Sequence, residues 1–233
     1  MKKIILLLVL AAAGGYWLIL SKPALYYKDA LEYKNFTLRG RGTLPAEPAP
    51  ALALDRALEK LLASELYSPD AKFDIYLAGS PGQLRFFAPF APGNYARVSP
   101  VSGGIFLASA DFAEDRARTA PEAVEYRALS KVITSAAVRE LARRQMKPLA
   151  YLSVKDWKFT GYGDRISGGA GDFTVADTCA QASEEGSALR EYEYGLAVDL
   201  FMQEEKGTFR DLLNRNYSYE GAERQLKKRH CGK

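Results

Sequence analysis

Residues 121–146 read PEAVEYRALSKVITSAAVRELARRQM. Val124, Leu129, Val132, Ile133, Ala136, Ala137, Leu141 and Ala142 recur at steps of three and four, the period that lines one face of an α-helix. The stripe is broad, so the spacing predicts a long helix with a buried middle. Arg143, Arg144 and Lys147 follow as charge favourable at a helix C-terminus and as a solvated face. Downstream the same period predicts helices over 154–166, opened by Ser153 as N-cap, and over 189–205, with Tyr192, Leu196, Leu200 and Phe201 as its apolar face. Two shorter helices follow at 208–213 and 219–229, and 168–178 reads as a glycine-rich loop. Upstream, the leucines of 51–66 predict a helix, ended by Pro69. KNFTLRGR (34–41), KFDIYLA (72–78), LRFFA (84–88) and GIFLA (104–108) read as short strands. The charged stretch 111–119 is expected to be a loop or short helix. The fold class that emerges is α+β: an N-terminal transmembrane helix, a small mixed sheet with helices, then a mostly helical C-terminal half.

Residues 4–20, IILLLVLAAAGGYWLIL, are 17 uncharged residues behind Lys2 and Lys3. As a helix they reach roughly 25 Å, the lower limit for crossing a bilayer. The preceding lysines favour an N-inside orientation. Ala11-Ala12-Ala13 offers a small-residue cleavage site, but cutting there leaves Tyr16 to Leu20 as an apolar end. The expected organisation is a signal anchor over 1–22, a linker over 23–33 and an extracytoplasmic domain over 34–233. That places a single-pass protein in a bacterial inner membrane, with its body in the periplasm or outside. Secretion after signal cleavage is the alternative.

The 233 residues, 48% of them hydrophobic, suffice for a real core without a metal or disulfide scaffold. The net charge of +4 includes Lys2, Lys3 and Lys22 beside the apolar segment, and the remaining 29 basic and 28 acidic residues nearly balance. No nucleic-acid partner is implied. His230 is the only histidine, which excludes a multi-histidine metal site and a Ser-His-Asp or Cys-His machine in the folded middle. Cys179 and Cys231 suit an oxidising compartment. They read either as a disulfide, worth roughly 4 kcal/mol by chain entropy, or as two thiols.

Gly161, Gly163, Gly168, Gly169 and Gly171 do not follow a phosphate-binding or dinucleotide pattern. Asp172 and Asp177 lack the spacing of a calcium loop, and His230 with Cys231 makes only a poor metal pair. No cofactor is implied. Phe86, Phe87, Phe90 and Tyr95 suit either a peptide groove or loop packing. Ser135 and Lys131, one helical turn apart, are the one dyad that nucleophilic hydrolysis could use.

Two phrases carry a resemblance. Leu129 to Leu141 reads LSKVITSAAVREL, and Trp157 to Gly168 reads WKFTGYGDRISG. Together with GIFLASADF before them and LAVDLFMQEEKGTFRDLLN after them, they resemble the gluzincin-type zinc metallopeptidases over roughly 72–213. In that superfamily one helix carries His-Glu-x-x-His and a following helix carries a glutamate as third ligand. Laid on that pattern, Ser135 and Arg139 stand at the two histidines, Ala136 at the catalytic glutamate and Thr160 at the third ligand. Zinc requires N, O or S donors at about 2 Å; hydroxyls are poor ligands, alanine is none and a guanidinium repels the ion. Without a carboxylate at 136 no base activates water. The resemblance therefore implies a degenerate member with no catalytic residues and no metal, binding a protein, peptide or envelope component through a vestigial cleft. Arg139, Trp157 and Tyr162 are the candidates for ligand contact, with Glu191, Glu193 or Asp164 as partners if Arg139 is buried. The alternative is a structural subunit of an envelope assembly, which an exposed apolar face on 189–205 would favour.

Overall fold

A computed structural model describes residues 2–42, 44–46, 48–89, 91–169, 173–180, 183–184 and 187–232. The chain is α+β. It divides into two compact units, Met1–Leu54 with Asp70–Leu129, and Asp55–Pro69 with Ser130–Lys233.

The first unit begins with α1 (Lys2–Ser21), whose 4–20 segment is almost entirely unburied. This apolar helix is compatible with a membrane anchor or a signal sequence. The stretch 23–33, expected as a linker, instead makes a helical turn at Pro23–Leu25 and strand β1 (Asp29–Tyr33). A tight turn after Tyr33 returns the chain as β2 (Phe36–Gly40), antiparallel to β1. α2 (Ala49–Leu61) crosses over to β3 (Phe73–Leu77), which is parallel to β2, as such a crossover requires. α3 (Pro81–Phe87) and β4 (Ala96–Val98) lead to β5 (Ile105–Leu107), giving the order β1-β2-β3-β5-β4.

The sheet buries apolar side chains on both faces, the second of which also carries the Arg39–Asp74 ion pair at 2.8 Å. Phe36 stacks on Phe73, and Leu38 and Ile75 are fully buried in register with them. On the other face, Tyr76 and Phe106 stack at 4.7 Å under Phe87 and Tyr27. Burial pushes the Tyr76 phenol up to about 12 and raises that of Tyr27 further.

Two expectations fail here. LRFFA is not a strand: Ser80 accepts a hydrogen bond from the Gln83 N–H, Pro81 occupies the first turn, and the run folds as α3. Residues 111–119 are neither loop nor helix alone, because Ser109–Asp111 (β6) and Arg116–Arg118 (β7) form a hairpin, extended by Arg127–Ala128 (β8).

The second unit is helical. α4 (Leu129–Gln145) starts eight residues later than the periodicity suggests; residues 121–128 supply a turn and β8, and Val124 is exposed. α5 (Pro148–Ser153) ends at Ser153, so that serine is not the cap of the next helix; α6 (Asp156–Ser167) begins from Lys155 with no side-chain cap. α7 (Val175–Ala180) occupies the end of the expected loop and runs two residues past it. α8 (Ala188–Glu204), α9 (Phe209–Asn214) and α10 (Tyr219–His230) follow where the period places them, with Thr208 and Asp211 forming a capping box on α9.

α6 and α8 are the most intimate pair, and the glycines explain why. A Cβ at Gly161 would lie 2.3 Å from the Tyr194 carbonyl oxygen, so only glycine permits this crossing. Cys179, on α7, and Cys231, just after α10, form a disulfide with their Cα atoms 5.5 Å apart.

Candidate functional site

α4 and α6 carry all four positions that resemblance assigns to a metal centre. Ser135 packs against α6, where a Cβ on Gly163 would meet its Oγ at 2.2 Å. Ala136 is buried. Arg139 donates to Asp156 in an ion pair of 2.5 Å, and its guanidinium lies 4.9 Å above the Phe159 ring. The Thr160 hydroxyl donates to the other Asp156 oxygen at 3.3 Å. Arg139, Asp156 and Thr160 thus form one cluster, and its charge is neutralised by the chain itself. The partner of Arg139 is Asp156 rather than Glu191, Glu193 or Asp164: on α6 Asp156 stands one turn before Thr160, the spacing that lets both reach one carboxylate.

Neighbouring charges are equally engaged. Glu140 is buried on α4 and accepts from Arg143 at 2.6 and 2.9 Å and from Arg144 at 2.7 Å. The basic cluster at the helix end therefore serves a buried carboxylate as well as a solvated face. Lys131 donates to the Gly169 carbonyl, and no hydrogen bond joins it to Ser135 among the described residues. The Ser135–Lys131 dyad is not assembled.

Trp157 and Tyr162 are packed inside the helical unit. Trp157 is buried against the rings of Tyr194, Tyr217 and Tyr219. Tyr162 stacks on Phe209 at 3.8 Å, and its hydroxyl accepts from the Glu65 N–H at 3.1 Å. Both are core residues, because α6 buries these rings among the other helices of its unit. Lys158, on the same helix, is also inside; its ammonium donates to the carbonyls of Leu212 and Arg215, both at 2.7 Å, while burial lowers its pKa.

The remaining weak candidates resolve individually. Cys231 is consumed by the disulfide, so it offers no thiolate beside His230. Asp177 accepts from the N–H and hydroxyl of Thr174 at the start of α7. Asp172, Gly171 and Phe90 lie outside the described residues. Phe87 belongs to the core of the first unit, and Tyr95 packs under the Arg127 guanidinium.

One concavity of this unit lies between α6 and α8. Asp164, Arg165, Gly169, Tyr192, Gly195, Leu196 and Asp199 line a half-open pocket of about 190 Å³. Arg165 and Asp199 pair across it, both partly exposed. Burial raises the Asp199 carboxyl, while Arg165 acts in the opposite direction. Tyr192 is raised by burial and then by the carboxylates of Asp164, Asp177 and Asp199. Asp164, Arg165 and Asp199 are the charged groups of its wall. Gly195 belongs to its wall because a Cβ there would press to 2.9 Å on Asp164 Oδ2.

Sequence reasoning names Asp164 only as a partner for Arg139 and Tyr192 only as part of an apolar face, and it misses Arg165 and Asp199. Gly161 and Gly195, which mark the close crossing of the two helices, are the signal that points there. No protein-family model matches the chain, and neither does a curated protein or a solved structure.

Proposed function

We propose that the protein is a membrane-anchored, extracytoplasmic binding protein without hydrolytic activity, and that the α6–α8 pocket holds a basic side chain of a peptide or protein partner. The carrying observation is the Arg139–Asp156–Thr160 cluster: where a gluzincin-like reading puts a metal, the chain places its own ion pair. Binding then falls to the pocket. Its volume of about 190 Å³ is below the range of roughly 300–1,000 Å³ for drug-sized ligands, and it suits one side chain. Asp164 and Asp199 line it with acceptor oxygens that a basic side chain can use, and Tyr192 and Leu196 offer its aliphatic stem a surface.

α1, with its basic N-terminal flank, supports anchoring with the body outside the cytoplasm. The disulfide agrees with such a compartment. Pairing within an assembly through α8 gains nothing here, since that helix buries Leu189, Tyr194, Val198, Leu200 and Phe201 within its own unit.

A peptide array probed with the purified full chain in detergent tests the proposal. Binding to lysine- or arginine-bearing peptides that is lost in Leu196→Trp, which fills the pocket, supports it. Binding indifferent to that substitution, or metal-dependent cleavage of the peptides, overturns it.

A further inference from the structure

α1 does not end free of the folded body. The Tyr16 hydroxyl donates to the Phe86 carbonyl at 3.0 Å, and the two rings meet edge to face at 5.2 Å. Leu20, one turn further on, is buried. α3, which carries Phe86, therefore overlaps the last turns of the apolar helix instead of standing beyond its end.

This overlap has a consequence for any bilayer that α1 crosses. The 17 uncharged residues give roughly 25 Å of helix, short of a hydrocarbon core of about 30 Å. Tyr16 lies five residues before Ser21, about 7 Å back along the axis. Whatever touches Tyr16 is held at the depth of Tyr16. The short span leaves no slack to lift it clear, because a short helix is accommodated by drawing its flanks toward the membrane.

The surface at that depth has the chemistry of an interface. Phe86 is 45% exposed, Leu25 60% and Trp17 61%, and aromatic residues favour the headgroup level. A run of ring contacts continues from Phe86 to Phe87 and from Phe87 to Tyr26, where the Arg41 guanidinium donates to the Tyr26 hydroxyl at 2.7 Å. Lys22, Arg41 and Arg85 are exposed and complement anionic headgroups.

We infer that the first unit is itself a lipid-binding face, with α3 lying in the headgroup zone and Phe86, Leu25 and Trp17 seated at the boundary with the acyl chains. The occupant of this apolar patch is the bilayer surface. The inference rests on the reading of α1 as an uncleaved anchor and goes beyond it, since an anchored domain could equally hang from its helix in water.

The test places a nitroxide at Phe86→Cys in the full chain, reconstituted in vesicles of phosphatidylethanolamine and phosphatidylglycerol. Both native cysteines are bridged, so the label goes to the new thiol. Glu114→Cys, on the exposed turn between β6 and β7, is the reference position. The expected result is an oxygen-to-nickel-chelate accessibility ratio at 86 severalfold above that at 114, matching a headgroup-level lipid standard. A chain that resists alkaline carbonate while position 86 is as accessible to the nickel chelate as position 114 overturns this inference and leaves the anchor standing. Release of the chain by carbonate overturns the anchor and this inference with it. Leu25→Cys, labelled in the otherwise unaltered chain, repeats the reading should the first label perturb α3; a lipid-like ratio at 25 supports the inference and an aqueous one overturns it.

Discussion

In the sheet unit, Tyr27, Tyr76, Phe87 and Phe106 bury their rings against one another, and Ser99 is the single buried polar residue among those described. In the helical unit, Glu140, Lys158 and Glu193 lie inside, each held by named partners: two arginines for Glu140, two carbonyls for Lys158, and Arg190 with Tyr219 for Glu193. The contrast separates two ways of specifying a fold. Apolar packing is tolerant of detail but loses heavily when volume is removed. Satisfied polar groups and glycine crossings fix register, and they fail when one partner is displaced.

The comparison can be broken at several points. The largest expected effect is a cavity in the sheet unit. Phe106→Ala removes a fully buried ring that touches Tyr27, Tyr76 and Phe87 and should destabilise by about 5 kcal/mol. Hydrogen exchange should show the loss concentrated in β3 and β5. Next comes the disulfide: Cys179→Ser with Cys231→Ser should lower stability by about 4 kcal/mol, read by urea unfolding, with faster exchange in α7 and α10. Equal loss of protection in the sheet strands would show that the two units do not differ in this way.

Gly161→Ala sharpens the contrast, because its Cβ meets a backbone carbonyl that cannot rotate away; a loss of about 3 kcal/mol is expected. Gly163→Ala meets the Ser135 side chain instead. Ser135→Ala should recover part of that loss and none of the loss at Gly161, a coupling measurable in a double-mutant cycle.

The smallest effect is electrostatic. Burial raises the Asp199 carboxyl, so between the unfolded and folded values the folded chain holds more protons than the unfolded chain. Stability therefore falls as pH rises through that window, and below the unfolded value the contribution is fully present. Asp199→Asn should flatten this part of the pH dependence of the urea midpoint. A slope that is unchanged, or of opposite sign, would show that the Arg165 ion pair outweighs the burial.

Much of the architecture is legible in the residues. α8 and α10 lie where the sequence places them, and the alternation of β2 matches its burial. The face of α8 is only half as read: Leu200 and Phe201 are buried, but Tyr192 and Leu196 are only partly so, and the helix turns Leu189, Tyr194, Ala197 and Val198 inward instead. α3 is misread as a strand because LRFFA is too short for a period to declare itself, and the deciding information lies upstream in Ser80 and Pro81. The start of α4 is misread because Val124 fits the stripe by position and yet is exposed. β1 is hidden by its polar edge: DALEY shows neither a β-branched run nor a buried face, and pairing with β2 creates the strand. The site was less legible. Arg139 and Thr160 do meet, through Asp156, a residue that no motif singles out. Trp157 and Tyr162 have the amphipathic chemistry of ligand contacts, but burial by the surrounding helices decides their role. Arg165 and Asp199 are far apart in the chain and come together only where Gly161 lets α8 approach.

The central claim is that the α4–α6 cluster is an ion pair of the protein's own, with no hydrolytic centre there. Zinc analysis of the full chain, purified in detergent without a histidine tag, together with a broad peptide-cleavage assay, tests it most directly. The account predicts far less than one zinc per chain and no cleavage, with Arg139→Ala changing neither. One zinc per chain, with cleavage lost to a chelator and restored by the metal, would contradict it.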